Sequence, residues 1–382
     1  MVERDMKKKI EQTFPDRHFI PARVAHLTEP SEEHLALGRG QCQARSECPR
    51  GCSFGGYYSS NSAALPAAER TGNLTLTANA QVQSVLYDEE TGKASGVRYI
   101  DMVTGSIIEV SAKVIFMCAS TLASVQILLN STSETFPYGI GNRYDVLGRY
   151  VMDHCGGGGA SGMVPGYLDD YYKGRRPGGV YIPRFRNLNN DKNEAFKRGY
   201  GFQCGASRAG WQWAKNGKGI GKSFKEKIKQ PGHWYFTLWG FGESLPDYEN
   251  RVYLHASKKD KWGMPLLVMD VAIKENEKAM IKDMTESAIE MLEAAGLKDI
   301  KGFEGEAPPG GAIHEMGGAC MGRDVKTSYL NKWNQCHEVA NLFVTDGSAF
   351  PSISCVNPSI TFMAFTARAV DYADKQLSAN AI

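Results

Sequence analysis

Residues 314–330 read HEMGGACMGRDVKTSYL, residues 341–377 read NLFVTDGSAFPSISCVNPSITFMAFTARAVDYADKQL, and these two stretches organise the rest of the chain. The apolar run Leu342–Val344 predicts a buried strand, because short apolar runs bounded by turn residues are typical of one. The strand is expected to stop at Asp346 and Gly347, where a loop rich in Pro and Ser begins. The chain is therefore predicted to end on a strand, a loop and a helix.

The closing helix is predicted to begin at Asn357 and Pro358. Asn is a preferred N-cap residue, and Pro fits the first helical position because its missing N–H would be unpaired there in any case. Apolar residues at helical spacing predict one packed face, formed by Ile360, Met363, Ala364, Ala367 and Val370. The first turn offers free backbone N–H groups and the positive end of the helix dipole, which suits a ligand that gains negative charge.

Three motifs occur in this region in a fixed order: His314-x2-Gly317-Gly318-x2-Met321-Gly322, then Asp346-Gly347-Ser348, then Asn357-Pro358. The combination resembles the C-terminal signature of the glucose-methanol-choline (GMC) family of flavin-dependent oxidoreductases, and the likeness extends over nearly the whole chain. It is most similar to the sugar-oxidising branches that include the large subunits of gluconate 2-dehydrogenase and glucoside 3-dehydrogenase. The resemblance implies FAD as cofactor and oxidation of the CH–OH group of an alcohol, sugar or glycoside.

His314 and Asn357 are the catalytic pair that this resemblance implies. Alcohol oxidation by hydride transfer to the flavin N5 needs a base for the hydroxyl proton and a group that orients the hydroxyl oxygen. A neutral imidazole has a pKa close to working pH, and an amide holds the oxygen without competing for the proton. The alternative is a core histidine at position 314, but the accompanying glycines and the helix start downstream favour catalysis.

The resemblance also implies residues that contact FAD, mainly through backbone groups. A strand-to-helix turn is expected to pass close to the cofactor, and one residue of a β-meander is expected to lie against the adenine. The full set is Val82, Ala119, Ser120, Asp346, Gly347, Pro358, Ser359 and Ile360. Residues 148–154 resemble the family's G-R-x-x-x-D-H segment between the two domains, where structural roles are expected for Asp153 and His154.

One family feature is missing from the sequence. Near the N-terminus no strand is followed by the glycine-rich GxGxxG turn that lets a backbone approach the pyrophosphate of a dinucleotide. The glycines at 157, 159 and 162 have this spacing, but no helix signal follows them, so they make a poor phosphate cradle. A truncated gene, a cloned piece of a longer protein or a split subunit would each explain the absence. The alternative to an active enzyme is therefore a truncated, non-catalytic fragment or a split subunit that does not bind FAD alone.

Charge and hydropathy restrict the other partners. The 382 residues carry a net charge of +2, with 44 basic and 42 acidic side chains, so nothing indicates nucleic acid or an anionic membrane. The N-terminus lacks the apolar core of a secretory signal, and the most apolar stretch, residues 114–129, contains too many polar residues for a membrane span. A soluble chain is expected, cytoplasmic or, if the true N-terminus is missing, periplasmic. The implied partners are a small alcohol or sugar and a small subunit or haem-bearing electron acceptor.

Three of the nine cysteines form a cluster: Cys42, Cys48 and Cys52. Three thiolates on a glycine-rich loop suffice for a [3Fe-4S] cluster, as some sugar dehydrogenases of the GMC family carry. The alternative is a set of small, buried apolar side chains, since spacing alone underdetermines such sites. Zinc is disfavoured because no neighbouring histidine supplies a fourth ligand.

The expected fold is mixed, α+β or α/β. Residues 1–155 are predicted to be the remainder of an FAD-binding domain, 156–300 an antiparallel-sheet substrate domain with a helix over 275–295, and 301–382 a return to the FAD-binding domain. Alternating apolar residues predict a strand over 74–77 and a meander from Val82 to Tyr99. Aromatic residues on both faces of a strand at 234–239 could place one ring over a sugar.

Overall fold

The computed structural model of the chain describes residues 1–45, 48–170, 178–189, 191–208, 217, 219–230, 232–305 and 310–382. Its strands are β1 (Ile20–Pro21), β2 (Ala80–Asp88), β3 (Lys93–Asp101), β4 (Ile107–Ser111), β5 (Ile115–Met117), β6 (Cys155–Val164), β7 (Val180–Ile182), β8 (Tyr200–Arg208), β9 (Trp234–Gly242), β10 (Arg251–Lys259), β11 (Pro265–Asp270), β12 (Lys298–Glu304) and β13 (Leu342–Val344). Its helices are α1 (Val2–Thr13), α2 (Glu32–Ala36), α3 (Leu65–Glu69), α4 (Thr121–Asn130), α5 (Gly221–Lys229), α6 (Glu275–Ala294) and α7 (Ser359–Ser378). Single helical turns lie at Cys48–Arg50, Ser60–Ala64 and Gly347–Ala349.

A six-stranded antiparallel sheet forms one half of the molecule, with strand order β1-β7-β8-β9-β6-β12. Its strands alternate buried and more exposed residues, so that one face carries a core and the other remains open. Helix α6 covers the core face with Met280, Met284 and Leu292, as the amphipathic pattern predicts. Helix α1 joins the same core through Met6, although the predicted division groups it with residues 1–155.

The glycines of β6 allow α6 to lie close to the sheet. A Cβ atom on Gly158 would lie 2.6 Å from the Ile281 carbonyl oxygen and 2.8 Å from the Met284 Cβ atom. Across the sheet, a Cβ atom on Gly240 would lie 2.6 Å from the Met284 sulfur. The glycine run is therefore a packing surface for the helix, because any larger residue would push the two layers apart.

The other half of the molecule is built on a meander and a parallel strand pair. Strands β2, β3 and β4 form the antiparallel meander, and β5 pairs in parallel with β13. Helix α4 lies behind them, and its residues Val125 and Leu128 are fully buried beside Met316 and Leu342. The predicted buried strand at 342–344 and the meander are confirmed.

The strand predicted over residues 74–77 is wrong. These four residues are exposed and belong to no strand, and β2 begins only at Ala80. Alternation of apolar and Thr residues favours an extended chain, but a strand also needs a neighbour that satisfies its backbone hydrogen bonds.

The face predicted to pack on the closing helix is also wrong. Helix α7 instead buries its small residues Ala369 and Ala373 beside Phe343, and its Phe362 and Phe365 rings contact Phe350 at centroid distances of 5.0 and 5.2 Å. The five residues of the predicted stripe are all exposed. Helix α7 is apolar on two sides, so the 3.6-residue period cannot tell which side meets the strands.

No described helix is both long enough and apolar enough to cross a lipid bilayer.

Replacing Gly158 by Ala should lower the free energy of unfolding by about 1–3 kcal/mol, because the added methyl group overpacks the contact between α6 and the sheet. Gly205→Ala is the matched control, since its Cβ atom would meet nothing within 4 Å in the same sheet. Urea unfolding followed by circular dichroism measures both variants. Equal effects in the two variants would show that the contact between α6 and the sheet is not tight at Gly158.

Candidate active site

The site forms where the parallel strands β5 and β13 end. Both carboxyl ends point to the same edge, so the turn after each strand lies beside the other. The Ser124 hydroxyl of α4 donates to the half-buried Asp346 carboxylate after β13. The Thr121 hydroxyl donates to the Glu315 carbonyl oxygen at 2.6 Å, which holds the loop that carries His314 against the same turn.

Two glycines allow these backbones to converge. A Cβ atom on Gly347 would lie 2.3 Å from the Thr121 hydroxyl oxygen and 2.6 Å from the Glu315 carbonyl oxygen. A Cβ atom on Gly317, which has a φ of +86°, would lie 2.0 Å from the Tyr150 carbonyl oxygen. The two glycines therefore allow backbone segments of this chain to lie in close contact with one another.

Asp153 fixes the loop that leads to His314. Its carboxylate accepts the backbone N–H groups of His154 at 2.7 Å, Ala312 at 2.9 Å and His314 at 3.2 Å. Three backbone donors on one carboxylate match the structural role expected for this residue.

His314 and Asn357 lie side by side, with 3.5 Å between the His314 Nε2 and Asn357 Nδ2 atoms. The amide oxygen of Asn357 accepts the Tyr181 hydroxyl at 2.5 Å and the Gln203 side-chain amide at 3.0 Å. With the Tyr181 hydroxyl and the Gln203 side-chain N–H group as donors, the oxygen of the Asn357 amide is the acceptor of both. The nitrogen of the amide therefore faces His314.

Asn357 is not the N-cap of the closing helix, contrary to the prediction. The N-cap of α7 is Pro358, and no side chain caps the helix. The Asn357 amide cannot cap the helix because it is held by residues of β7 and β8. Tyr181 and Gln203 were not identified from the sequence, since only the pairing of their strands brings them to the site.

The His314 ring is half-buried and has two aromatic neighbours, Phe241 and His154. Burial lowers its pKa, and the charges of Asp153 and Glu315 offset part of that effect. The Phe241 ring lies 6.4 Å from it by centroids, and the buried His154 ring contacts it with 3.0 Å between the two Nδ1 atoms. Burial and the neighbouring His314 lower the pKa of His154 to about 4.

The open face of the large sheet extends from this pair. Gln203 and Phe241 belong to that face, and Trp239 follows along β9 with 53% of its surface exposed. The Ser161 and Thr237 hydroxyls pair at 2.9 Å on the neighbouring strands. A face with an exposed indole ring and hydroxyl and amide groups offers apolar area together with hydrogen-bonding groups.

The residues expected to contact FAD fall into two groups. The strand pairing brings the exposed Ala119 and Ser120 turn, in which Ser120 has a φ of +78°, beside the turn that contains Asp346 and Gly347. Pro358 is buried, and Ser359 and Ile360 form the exposed first turn of α7. Val82 lies half-buried on β2, beside the core formed with α4.

The three clustered cysteines, Cys42, Cys48 and Cys52, are half-buried and form no disulfide. Burial raises the pKa of Cys48, and nearby Cys42 and Cys52 raise it further. Cys48 also contacts His26, with 3.4 Å between Sγ and Nε2. Within the part of the chain that the structure describes, no three His, Cys, Asp or Glu side chains are placed to hold a metal ion. The predicted [3Fe-4S] cluster is therefore unsupported.

Comparisons with known proteins agree with this architecture. The chain is 30% identical to the 2-methyl-1,2-propanediol dehydrogenase of Mycolicibacterium austroafricanum, over 94% of this chain and 64% of that protein. It is 27% identical to the fructose dehydrogenase large subunit of Gluconobacter japonicus, over 87% of this chain and 60% of that subunit. The pyridoxine 4-oxidase from Mesorbium loti has a similar fold, with a TM-score of 0.50, 18% identity and coverage of 84% of this chain and 62% of that one.

The chain thus spans less than two thirds of the length of these relatives, at 64% and 60%. Two family models, each described as GMC oxidoreductase, match residues 32–155 and 246–366. Together they cover more than half of the sequence, on both sides of the strands that carry Tyr181 and Gln203. The chain belongs to the GMC oxidoreductase family.

Proposed function

We propose that this chain carries the alcohol-oxidising site of an FAD-dependent dehydrogenase that acts on the CH–OH group of an alcohol or a sugar. The observation that supports this proposal is the pairing of His314 Nε2 with Asn357 Nδ2 at 3.5 Å. Removal of a hydroxyl proton requires a base, and a neighbouring amide donor can orient the hydroxyl oxygen.

In this proposal Asn357 orients the substrate and His314 takes its proton. The hydroxyl oxygen accepts a hydrogen bond from the Asn357 Nδ2 group, and the hydroxyl hydrogen points at the His314 Nε2 lone pair. Tyr181 and Gln203 hold the amide in the orientation that presents Nδ2. As the proton moves to His314, negative charge does not accumulate on the substrate oxygen, which favours loss of hydride from the carbon.

The surroundings of the pair fit FAD. The first turn of α7 lies directly after Asn357, and its residues Ser359 and Ile360 are exposed. The leading N–H groups of a helix lack intrahelical partners and carry partial positive charge, so they would hold a ring that gains negative charge. When bound, FAD supplies the hydride acceptor of the reaction. We infer that the exposed turn at Ala119 and Ser120 also contacts it.

A sugar or polyol is the substrate class that the open sheet face favours. Trp239 offers an exposed ring near Phe241, and the Ser161 and Thr237 hydroxyls lie on the same face. Sugars present an apolar ring face together with hydroxyl groups, which an indole and neighbouring hydroxyls can bind together. The fructose dehydrogenase relative supports this substrate class.

FAD binding by residues 1–382 alone is a separate question. The glycines with GxGxxG spacing, at 157, 159 and 162, lie inside strand β6 and do not open a helix. The α7 face that contains Ile360, Met363 and Val370 is exposed. We propose that a nucleotide-binding segment outside these residues, in the same or another polypeptide, completes the cofactor site. A relative that is named as a large subunit supports a further partner subunit, which would take up the electrons.

His314→Ala should lower the turnover number by about a hundredfold or more, because the general base is lost. The visible absorbance of bound flavin should remain, since His314 is not among the residues proposed to contact FAD. His18→Ala, at an exposed position, is the matched control.

The assay follows bleaching of the flavin band by sugars and alcohols without oxygen, in the chain alone and with added FAD. Unchanged turnover in His314→Ala would remove His314 from the mechanism. Absence of flavin binding under both conditions would favour a fragment that needs its completing segment.

The pH profile of kcat/KM should retain activity below pH 6.5, the ordinary pKa of histidine, because burial lowers the pKa of His314 and only the neutral ring can accept a proton. Glu315→Gln should move the acid limb to still lower pH, since the Glu315 charge raises this pKa. A substrate without ionisable groups keeps the profile specific to the enzyme. An acid limb above pH 6.5 would contradict the assignment.

Trp239→Ala should raise KM for sugars about five- to tenfold with little change in kcat, as expected for loss of about 1 kcal/mol of ring contact. Tyr253→Ala removes an aromatic ring with 40% exposure from β10, outside the large sheet, and should leave KM unchanged. Steady-state kinetics on a sugar and on a short alcohol separate the two effects. An equal change for both substrates would argue against a sugar platform.

A further inference from the structure

His154 is a buried residue next to the proposed base. Its ring is 4% exposed, and it meets the His314 ring edge to face at a centroid distance of 5.0 Å. The two Nδ1 atoms are 3.0 Å apart, a hydrogen-bond distance. One of the two rings must therefore donate and the other accept, because two lone pairs or two N–H groups would repel each other at this distance.

The Asn357 side of the site favours donation by His314. Tyr181 and Gln203 fix the Asn357 amide so that its Nδ2 group, a donor, faces His314 Nε2 at 3.5 Å. A hydrogen on His314 Nε2 would place two donors opposite each other without an acceptor. The hydrogen of the neutral His314 ring therefore belongs on Nδ1, where it points at His154.

The far side of His154 favours the same arrangement. Its Nε2 atom is buried, and no described residue forms a hydrogen bond with it. The Ser354 backbone raises the pKa of His154, the effect of a carbonyl oxygen that faces a ring N–H. With its hydrogen on Nε2, the neutral His154 ring leaves Nδ1 as the acceptor that the contact with His314 requires.

We propose that His154 is a positioning residue that holds His314 in the tautomer with its hydrogen on Nδ1, so that the Nε2 lone pair faces the substrate hydroxyl. This assignment rests on the proposed function of His314 as the base. It gives His154 a role in the reaction beyond the structural role expected for the 148–154 segment.

The pairing also prepares His314 for the charge that it gains. One proton leaves the substrate oxygen and ends on His314 Nε2, and the ring becomes an imidazolium whose Nδ1–H still points at His154 Nδ1. A hydrogen bond from a charged donor is stronger than one from a neutral donor, so the contact stabilises the protonated base. His154 itself stays neutral, since burial and the charge on His314 both oppose a second protonation.

Nitrogen NMR of histidine side chains tests the tautomer directly, in the full chain without substrate or added FAD. In the unmodified protein at pH 8, His314 should show a protonated Nδ1 and an unprotonated Nε2. His154 should show a protonated Nε2 and an unprotonated Nδ1. The His314→Ala variant assigns the signals. A protonated Nε2 on His314 would overturn the proposal, and this readout does not depend on whether the chain oxidises alcohols.

Kinetics provide the second test, in the flavin-loaded protein. His154→Phe keeps a buried aromatic ring but removes the acceptor, and it should lower kcat by about a hundredfold, the lower part of the range for general-base catalysis, with KM little changed. His154→Asn should recover most of the activity, because its amide oxygen can occupy the position of Nδ1 as an acceptor. Equal activity of His154→Phe and His154→Asn would overturn the positioning role. Higher activity of His154→Asn than of His154→Phe would support it.

Discussion

Parallel pairing of β5 with β13 is the constraint on which the site depends. It joins residues 115–117 to 342–344, far apart in the sequence, and it sends both strands towards the same edge. The turn before α4 and the turn that contains Asp346 are then joined by a half-buried carboxylate, a hydroxyl donor and a glycine that leaves room for both backbones. The His314 loop is held against this junction by Thr121. Without the pairing, neither the base nor the start of α7 would have a fixed position.

The large sheet supplies the other half of the site. Strands β7 and β8 present Tyr181 and Gln203, which orient Asn357, while β9 presents Phe241 beside His314. Helix α6 supports these strands from behind, at a distance set by the glycines of β6. The proposed base and the proposed orienting amide thus come from the C-terminal stretch, but the amide is oriented by Tyr181 and Gln203 of the large sheet, 176 and 154 positions earlier. The GMC family models match the C-terminal stretch within residues 246–366, but strands β7, β8 and β9 lie outside the matched residues.

Local patterns in the sequence predicted the elements whose signal is local. The strand at 342–344, the helix at 275–294 and the meander each follow from apolar period and turn residues. The predictions were wrong where the structure of a segment depends on what packs against it. Residues 74–77 form no strand because no strand lies beside them. Helix α7 buries Ala369 and Ala373 although its other side is equally apolar. Tyr181 and Gln203 carry no motif, and His154 was singled out but its contact with His314 spans 160 positions. Such contacts depend on register and packing, which single-sequence reasoning does not supply.

The outer side of α7 affects how the protein behaves in solution. Ile360, with 78% of its surface exposed, and Met363 and Val370, each with 49%, form an uncovered apolar strip along one helix. Strips of this kind promote self-association as protein concentration rises, unless another surface or a lipophilic ring system shields them. Self-association of the isolated polypeptide therefore depends more on what covers this face of α7 than on the net charge of +2.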